Sequence, residues 1–298
     1  MRVLRVALWS VLILLPFPAY SDFDVWSLNA YHLGYNKRSI DGYRQAKYAY
    51  LNANYLCGAQ APVITLVQEV MAQAEAAEIC PPPAVYTVHP QSAQNPPWNL
   101  RGFNSYREGY ALIIQNATAT AGHQVVCYFN ADQRFTLQPK DFIRPPDIAL
   151  IRNVATNTKT WVVNFHALFG AIGNRRQEVV RLGNIVAQLK ALVAADCSNI
   201  AVSRVLVLGD WNLPATDQAI ADFFTAAGFT QPQIQPNGAD QLTTVNRAGQ
   251  LASSYDHFVW DAGEMDVTFD QIYTPPEGYL QYFKNTSDHL GVRANVTD

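Results

Sequence analysis

Six places in the sequence set an acid, an amide or an imidazole directly against an apolar, strand-like run. Asn29 closes residues 23–28. Gln68 and Glu69 follow Val63, Ile64, Thr65, Leu66 and Val67. His166 follows Asn164 and Phe165. Asp210, Trp211 and Asn212 follow Val205, Leu206, Val207, Leu208 and Gly209. Asp256 and His257 open a late strand, and Ser287, Asp288 and His289 precede the last one. One polar residue at a strand end is usually a turn or cap. Strand ends along one sheet edge converge in space, so six of them can build one polar site. Asn29, Glu69, Asp210 and Asp288 offer hard oxygen ligands, suited to Mg2+ or Mn2+. His166 and His289 titrate near neutral pH. Glu108 and Asp256 are carboxylates available to orient one imidazole each. Two acid/base histidines around a carboxylate cage fit metal-assisted hydrolysis of a phosphate ester.

The elements that must position these groups are read from periodicity. Strands are expected over residues 23–28, 62–67, 109–115, 124–129, 147–153, 160–165, 204–208, 255–260, 266–273 and 290–296. The pairs 109–115 with 124–129, and 147–153 with 160–165, read as antiparallel, the second turning at Asn157, Thr158 and Lys159. Helices are expected over 40–56, 72–79, 175–194 and 216–227, and a long loop over 89–106. No linker or fixed-period repeat divides the chain. The expected fold is therefore one layered α/β domain over residues 22–298.

The 298 residues are 49% hydrophobic and 15% charged, enough to bury a sizeable core and too apolar for disorder. The net charge of −3 provides no global basic field, so a polyanion must be held by a local patch or by metal ions. Residues 1–21 have the layout of a secretory signal peptide: Arg2 and Arg5, then an apolar run from Val6 to Leu15, then Pro16 and Pro18, with Ala19 and Ser21 before the cut. The run is short for a membrane anchor. Cleavage removes two arginines and no acid, leaving −3 − 2 = −5. A secreted protein, extracellular or periplasmic, without a membrane anchor is expected. In an oxidising compartment four cysteines form disulfides. Three pairings exist. Cys57–Cys80 with Cys127–Cys197 is preferred because the first pair spans one strand–helix unit, and a buried thiol is the other reading of Cys127.

The ordered series resembles the endonuclease/exonuclease/phosphatase superfamily, and within it the deoxyribonuclease I-like members. It consists of Ser27-Leu28-Asn29, Leu66-Val67-Gln68-Glu69-Val70, Asn164-Phe165-His166-Ala167, Gly209-Asp210-Trp211-Asn212, Ser254-Tyr255-Asp256-His257 and Ser287-Asp288-His289. The resemblance implies a four-layer α/β sandwich, two mixed sheets packed face to face and flanked by helices. It implies Glu69 as principal metal ligand with Asn29 and Asp288 beside it, and Asp210 and Asn212 on a second metal or on the scissile phosphate. It implies His166 with Glu108, and His289 with Asp256, as acid/base pairs. Tyr106 would lie against a sugar or base, and Arg144 would clamp a phosphate. A loop with Asp240, Thr243 and Thr244 loosely resembles a structural Ca2+ loop.

What the resemblance implies about activity is a low-specificity, Mg2+- or Mn2+-dependent endonuclease acting on DNA. Alternatives on the same fold are a phosphomonoesterase, a lipid phosphodiesterase, a toxin nuclease subunit or a non-catalytic binding protein. The arginines that deoxyribonuclease I sends into the minor groove have no counterpart: Ala30 and Tyr31 stand at one position, Met71 and Ala72 at the other. Single-stranded DNA and RNA are therefore expected among the substrates.

Overall fold

The computed structural model describes residues 21–33, 62–70, 80, 86–91, 109–117, 121–138 and 141–297. The strands are β1 (Ser21–Leu33), β2 (Ile64–Val70), β3 (Tyr86–Gln91), β4 (Gly109–Gln115), β5 (His123–Asn130), β6 (Asp147–Asn153), β7 (Lys159–His166), β8 (Val205–Asp210), β9 (Pro232–Gln235), β10 (Asp256–Asp261), β11 (Asp266–Ile272) and β12 (Val292–Thr297). The helices are α1 (Ile172–Lys190), α2 (Gln218–Ala227) and α3 (Tyr279–Asn285). One sheet has the order β11-β12-β1-β2-β4-β3 and the other β5-β6-β7-β8-β10-β9. Each is mixed, with one parallel pair: β1 with β2, and β7 with β8.

Alternation along the strands assigns the layers. Val25, Ile64, Leu66 and Leu112 from the first sheet meet Ala149, Val162, Leu206 and Phe258 from the second in the seam between them. The other face of the second sheet presents Leu150, Trp161, Val163, Val207 and Val259 to Val179, Leu182 and Val186 of α1 and Phe223 of α2. Asp217 caps α2 by accepting the N–H of Ala219, and Gly228 ends it in the left-handed region.

The sequence reading differs in one pairing. β4 and β5 are not partners: β4 lies between β2 and β3, and β5 pairs with β6 in the other sheet. The burial patterns give the reason. β4 is buried from Gly109 to Ile114, as an interior strand must be, whereas β5 is mostly half-exposed, as an edge strand can be. β3 takes residues 89–91 from the expected loop, and the rest of that loop, to residue 106, lies outside the described residues. The expected helices at 40–56 and 72–79 and the leader at 1–21 lie outside them as well, apart from Ser21. β9, with a proline at its start, and the short α3 carry too little periodicity to be read in advance.

Cys127 and Cys197 are joined, tying β5 to the loop after α1, with Cα atoms 5.1 Å apart. Cys80 is disulfide-bonded too, while Cys57 lies outside the described residues. Among the described residues no helix is long and apolar enough to cross a membrane.

Candidate active site

The topology brings the polar strand ends to one end of the sandwich. β1 and β2 are parallel, so Asn29 and Glu69 lie at the same end; β7 and β8 are parallel, so His166 faces Asp210 in register. β10 is antiparallel to β8 and opens at that end, with Asp256 opposite Asp210. β12 is antiparallel to β1, which places His289, just before it, beside them.

Irregular backbone aims three of these residues. The register of β1 on β2 shifts between Asn29 and Leu33, and that of β2 on β4 between Val67 and Val70. Glu69 sits in this bulge at φ 58°, and Tyr31 at φ 44°. Asn212, just past β8, has φ 48°. Bulges re-aim side chains, and residues held in the left-handed region cluster at functional sites. Gly209 is required by close approach: its φ is 137°, and a Cβ there would stand 1.9 Å from the carbonyl oxygen of Phe165. Any side chain would force β8 from β7 and separate Asp210 from His166.

One oxygen is the hub. Asp210 Oδ2 lies 3.1 Å from Asn29 Nδ2, 3.5 Å from His166 Nε2 and 3.4 Å from His289 Nε2. Asn29 also donates from Nδ2 to Glu69 Oε1 at 3.1 Å, and His166 Nε2 lies 3.8 Å from that oxygen. His289 Nδ1 is 2.8 Å from Asp256 Oδ2. All but Glu69 are buried. Burial pushes the Asp210 carboxyl up to about 7, with His289 opposing the shift. For His289 burial disfavours the cation, but Asp256 and then Asp210 outweigh it and hold the imidazole well above its ordinary range. The result is a buried cationic imidazole between two carboxylates.

Asn29 presents its amide nitrogen, not its oxygen, to the two carboxylates; its Oδ1 accepts the N–H of Tyr31. Asn212 donates from its backbone to Asp210 Oδ1 at 2.8 Å and from Nδ2 to the carbonyl of Ala167 at 3.0 Å. Arg144, expected as a phosphate clamp, is buried. It donates to the carbonyls of His166 and Ala167, holding the end of β7. Asp288 lies at the rim beside Glu69. Tyr106 and Glu108 lie outside the described residues.

Several residues that position the site were not given that role from the sequence. Gln68 donates to Asn164 Oδ1 at 2.6 Å and to Ser27 Oγ, bridging the two sheets beneath the site. Ser287 Oγ donates to the carbonyl of Asn29 and accepts the N–H of His289. Thr243 Oγ1 accepts the N–H groups of Tyr255 and Asp256, fixing the start of β10. Glu178 of α1 accepts from Ile143 N at 2.7 Å and Leu168 N at 2.6 Å, joining the loop that carries Arg144 to the one that follows His166. Gln68, Asn164 and Ser287 lie inside the quoted motifs, which was the available signal. Thr243 was marked only as part of a loop resembling a Ca2+ loop, and nothing local marks Glu178.

No family profile matches the sequence, and comparison with curated proteins finds no match. Solved structures do match. The human Nocturnin catalytic domain with bound sulfate is 14% identical, with a TM-score of 0.59 over 93% of this chain and 94% of that one. An endonuclease/exonuclease/phosphatase family protein from Bacteroides thetaiotaomicron is 15% identical, with a TM-score of 0.56 over 92% and 97%. D. rerio TDP2 complexed with single-strand DNA product is 13% identical, with a TM-score of 0.53 over 92% and 98%. The chain has the endonuclease/exonuclease/phosphatase fold.

On this fold the donor set fits a hard divalent cation. Asp256 Oδ1 and Asp288 Oδ1 are buried and accept no hydrogen bond among the described residues. Asp210, Asp256 and His289 each offer a ligand atom within 4.8 Å of the others. In that group His289 lies between the two carboxyls, 3.4 Å from Asp210 Oδ2 and 2.8 Å from Asp256 Oδ2. Repulsion from Glu69 helps raise the Asp288 pKa, after burial and against His289.

The endonuclease/exonuclease/phosphatase fold here also encloses a carboxyl away from the hub. Asp147, paired in register with Asn164, accepts from Tyr128 Oη at 2.7 Å and Asn130 Nδ2 at 2.8 Å. Burial raises its pKa to about 8. Its neutral form is favoured in the folded state, so folding takes up a proton above pH 4. Its contribution to stability is complete below the unfolded pKa near 4 and is lost as pH rises toward 8. Asp147→Asn, which stays neutral, should melt close to wild type at pH 4 and several degrees higher near pH 8. Parallel melting curves across that range would refute the assignment.

Proposed function

We propose that this chain is an exported, divalent-metal-dependent phosphoester hydrolase that cleaves nucleic-acid phosphodiesters as a low-specificity endonuclease. The observation that carries the reading is the convergence of Asn29, His166 and His289 on one carboxylate oxygen of Asp210, with Asp256 behind His289. Hydrolysis needs a base for the attacking water and an acid for the departing 3′-oxygen. Two imidazoles on either side of Asp210 supply both, and Asp256 fixes the orientation and charge of one. Glu108 does the same for His166 on motif grounds. Asn212 and the N–H2 of Asn29 hold the carboxylates in place. Glu69 with Asp288 would hold Mg2+ or Mn2+, whose charge stabilises the phosphoryl oxygens. Export rests on residues 1–21 and is supported by the Cys127–Cys197 disulfide.

The surroundings favour an unpaired strand. Tyr31 is 41% exposed, close enough to Asp288 and Glu69 that, after burial, their charges raise its phenol pKa. Phe169, three residues after His166, is 77% exposed, with the Arg175 guanidinium 5.9 Å from its ring centre. Exposed aromatic faces stack unpaired bases. The test is cleavage of plasmid and matched single-stranded DNA with Mg2+, with and without EDTA, by wild type and His166→Ala. Metal-dependent cleavage lost in the variant is expected, with single strands cut at least as fast as duplex. Turnover of phosphomonoesters alone would assign a phosphatase instead.

A further inference from the structure

A second site lies at the other end of the sandwich. β6 runs from Asp147, beside the catalytic end, to Asn153, and Arg152 is five residues along it, about 16 Å away at 3.3 Å per residue. There the edge strands of the two sheets, β3 and β5, flank a cleft of about 630 Å3. That volume is in the range of small-molecule sites, about 300–1,000 Å3.

Among the described residues, the formal charge of the lining comes from Arg152. Arg152 faces the cleft together with His89, His123, amides and a hydroxyl, and none of the described lining residues is an acid. In a chain with net charge −3 this is unexpected. Arg152 is half-buried. One nitrogen, Nη2, donates to Gln124 Oε1 at 2.6 Å. Its Nε–H is buried and has no acceptor, and no carboxylate pairs with it among the described residues. A buried guanidinium donor without an acceptor is costly, and a bound oxyanion would satisfy it. Ile114, Val125 and Val154 line the rest of the cleft and offer apolar surface to an organic body. We propose that this cleft binds a small organic phosphate, with Arg152 gripping the phosphate and the aliphatic residues covering the attached group. Nothing in the reading of the catalytic end requires it.

Isothermal titration of the full chain in EDTA tests this, with adenosine 5′-monophosphate, adenosine and inorganic phosphate as probes. Each is repeated in His289→Ala to remove binding at the catalytic end. The nucleotide should bind in both backgrounds, more tightly than inorganic phosphate, and adenosine should not bind. Arg152→Gln should weaken the nucleotide about ten- to hundredfold while leaving DNA cleavage and melting temperature unchanged. Arg152→Lys, which keeps charge but loses the planar fork, should fall between. If Arg152→Gln proves unfolded, the Lys variant decides alone. Equal nucleotide affinity in wild type and the folded Arg152 variants overturns the proposal. So does adenosine binding as tightly as its phosphate, or no saturable binding at millimolar nucleotide.

Discussion

Replacing His289 by alanine should lower kcat by about 100- to 10,000-fold, the usual contribution of a general acid or base. The imidazole touches Asp256 through Nδ1 and faces Asp210 through Nε2, so its deletion removes both a proton carrier and a partner shared by two buried carboxyls. Breaking such a pair also costs about 3–5 kcal/mol of stability. Rates must therefore be compared well below each variant's melting temperature. Asp256→Asn keeps the shape and removes the charge that holds the imidazole protonated, so it should reproduce much of the loss in kcat. The double change His166→Ala with His289→Ala should cost far less than the product of the two singles, because both imidazoles share one carboxylate oxygen and act in one event. Multiplicative losses would mean that they work independently.

Glu69→Gln is expected to lower activity about a hundredfold or more at limiting Mg2+, since a metal's charge on the transition state is worth several kcal/mol. The substitution is close to isosteric, and the amide oxygen can still accept from Asn29 Nδ2, which reaches Glu69 Oε1 at 3.1 Å. The backbone at φ 58° is unchanged, so the folded structure should survive. The variant should also need more Mg2+ for half-maximal rate. Rates measured over a Mg2+ titration decide the matter. Wild-type rates at the low end would remove Glu69 from the metal site and leave the Asp210, Asp256 and His289 group as the better cation site.

Much of the site was legible in the sequence because strands announce themselves locally. An apolar run that stops at an acid or an imidazole marks both a buried strand and the end at which its chemistry lies. The chain does this at Glu69, His166 and Asp210, ends another run at the amide of Asn29, and opens or precedes strands at Asp256 and His289. The order of those stops along the chain carried the fold expectation with it. Gly209 before Asp210 was legible as well, though only the 1.9 Å approach to Phe165 explains why no side chain fits there.

Other features needed the tertiary structure, because they depend on contacts between residues far apart in sequence. Periodicity fixes which face of a strand is apolar but not which strand lies beside it, so β4 and β5 read as a hairpin until burial placed one inside a sheet and the other at an edge. The resemblance makes Arg144 a phosphate clamp, and only the fold shows that it is buried and donates to the carbonyls of His166 and Ala167 at the end of β7. The same resemblance makes Asn29 an oxygen ligand, and only the fold shows its N–H2 donating to two carboxylates and its Oδ1 accepting from Tyr31. The shift of Asp147 to about 8 cannot be read from its neighbours in the chain, since desolvation is a property of the packed interior. The sequence by itself determined which chemical groups stand at strand ends, because that is local. Their distances, protonation and partners were decided by the packing of one sheet on the other, because charge and hydrogen bonding depend on whatever fills the surrounding few ångströms.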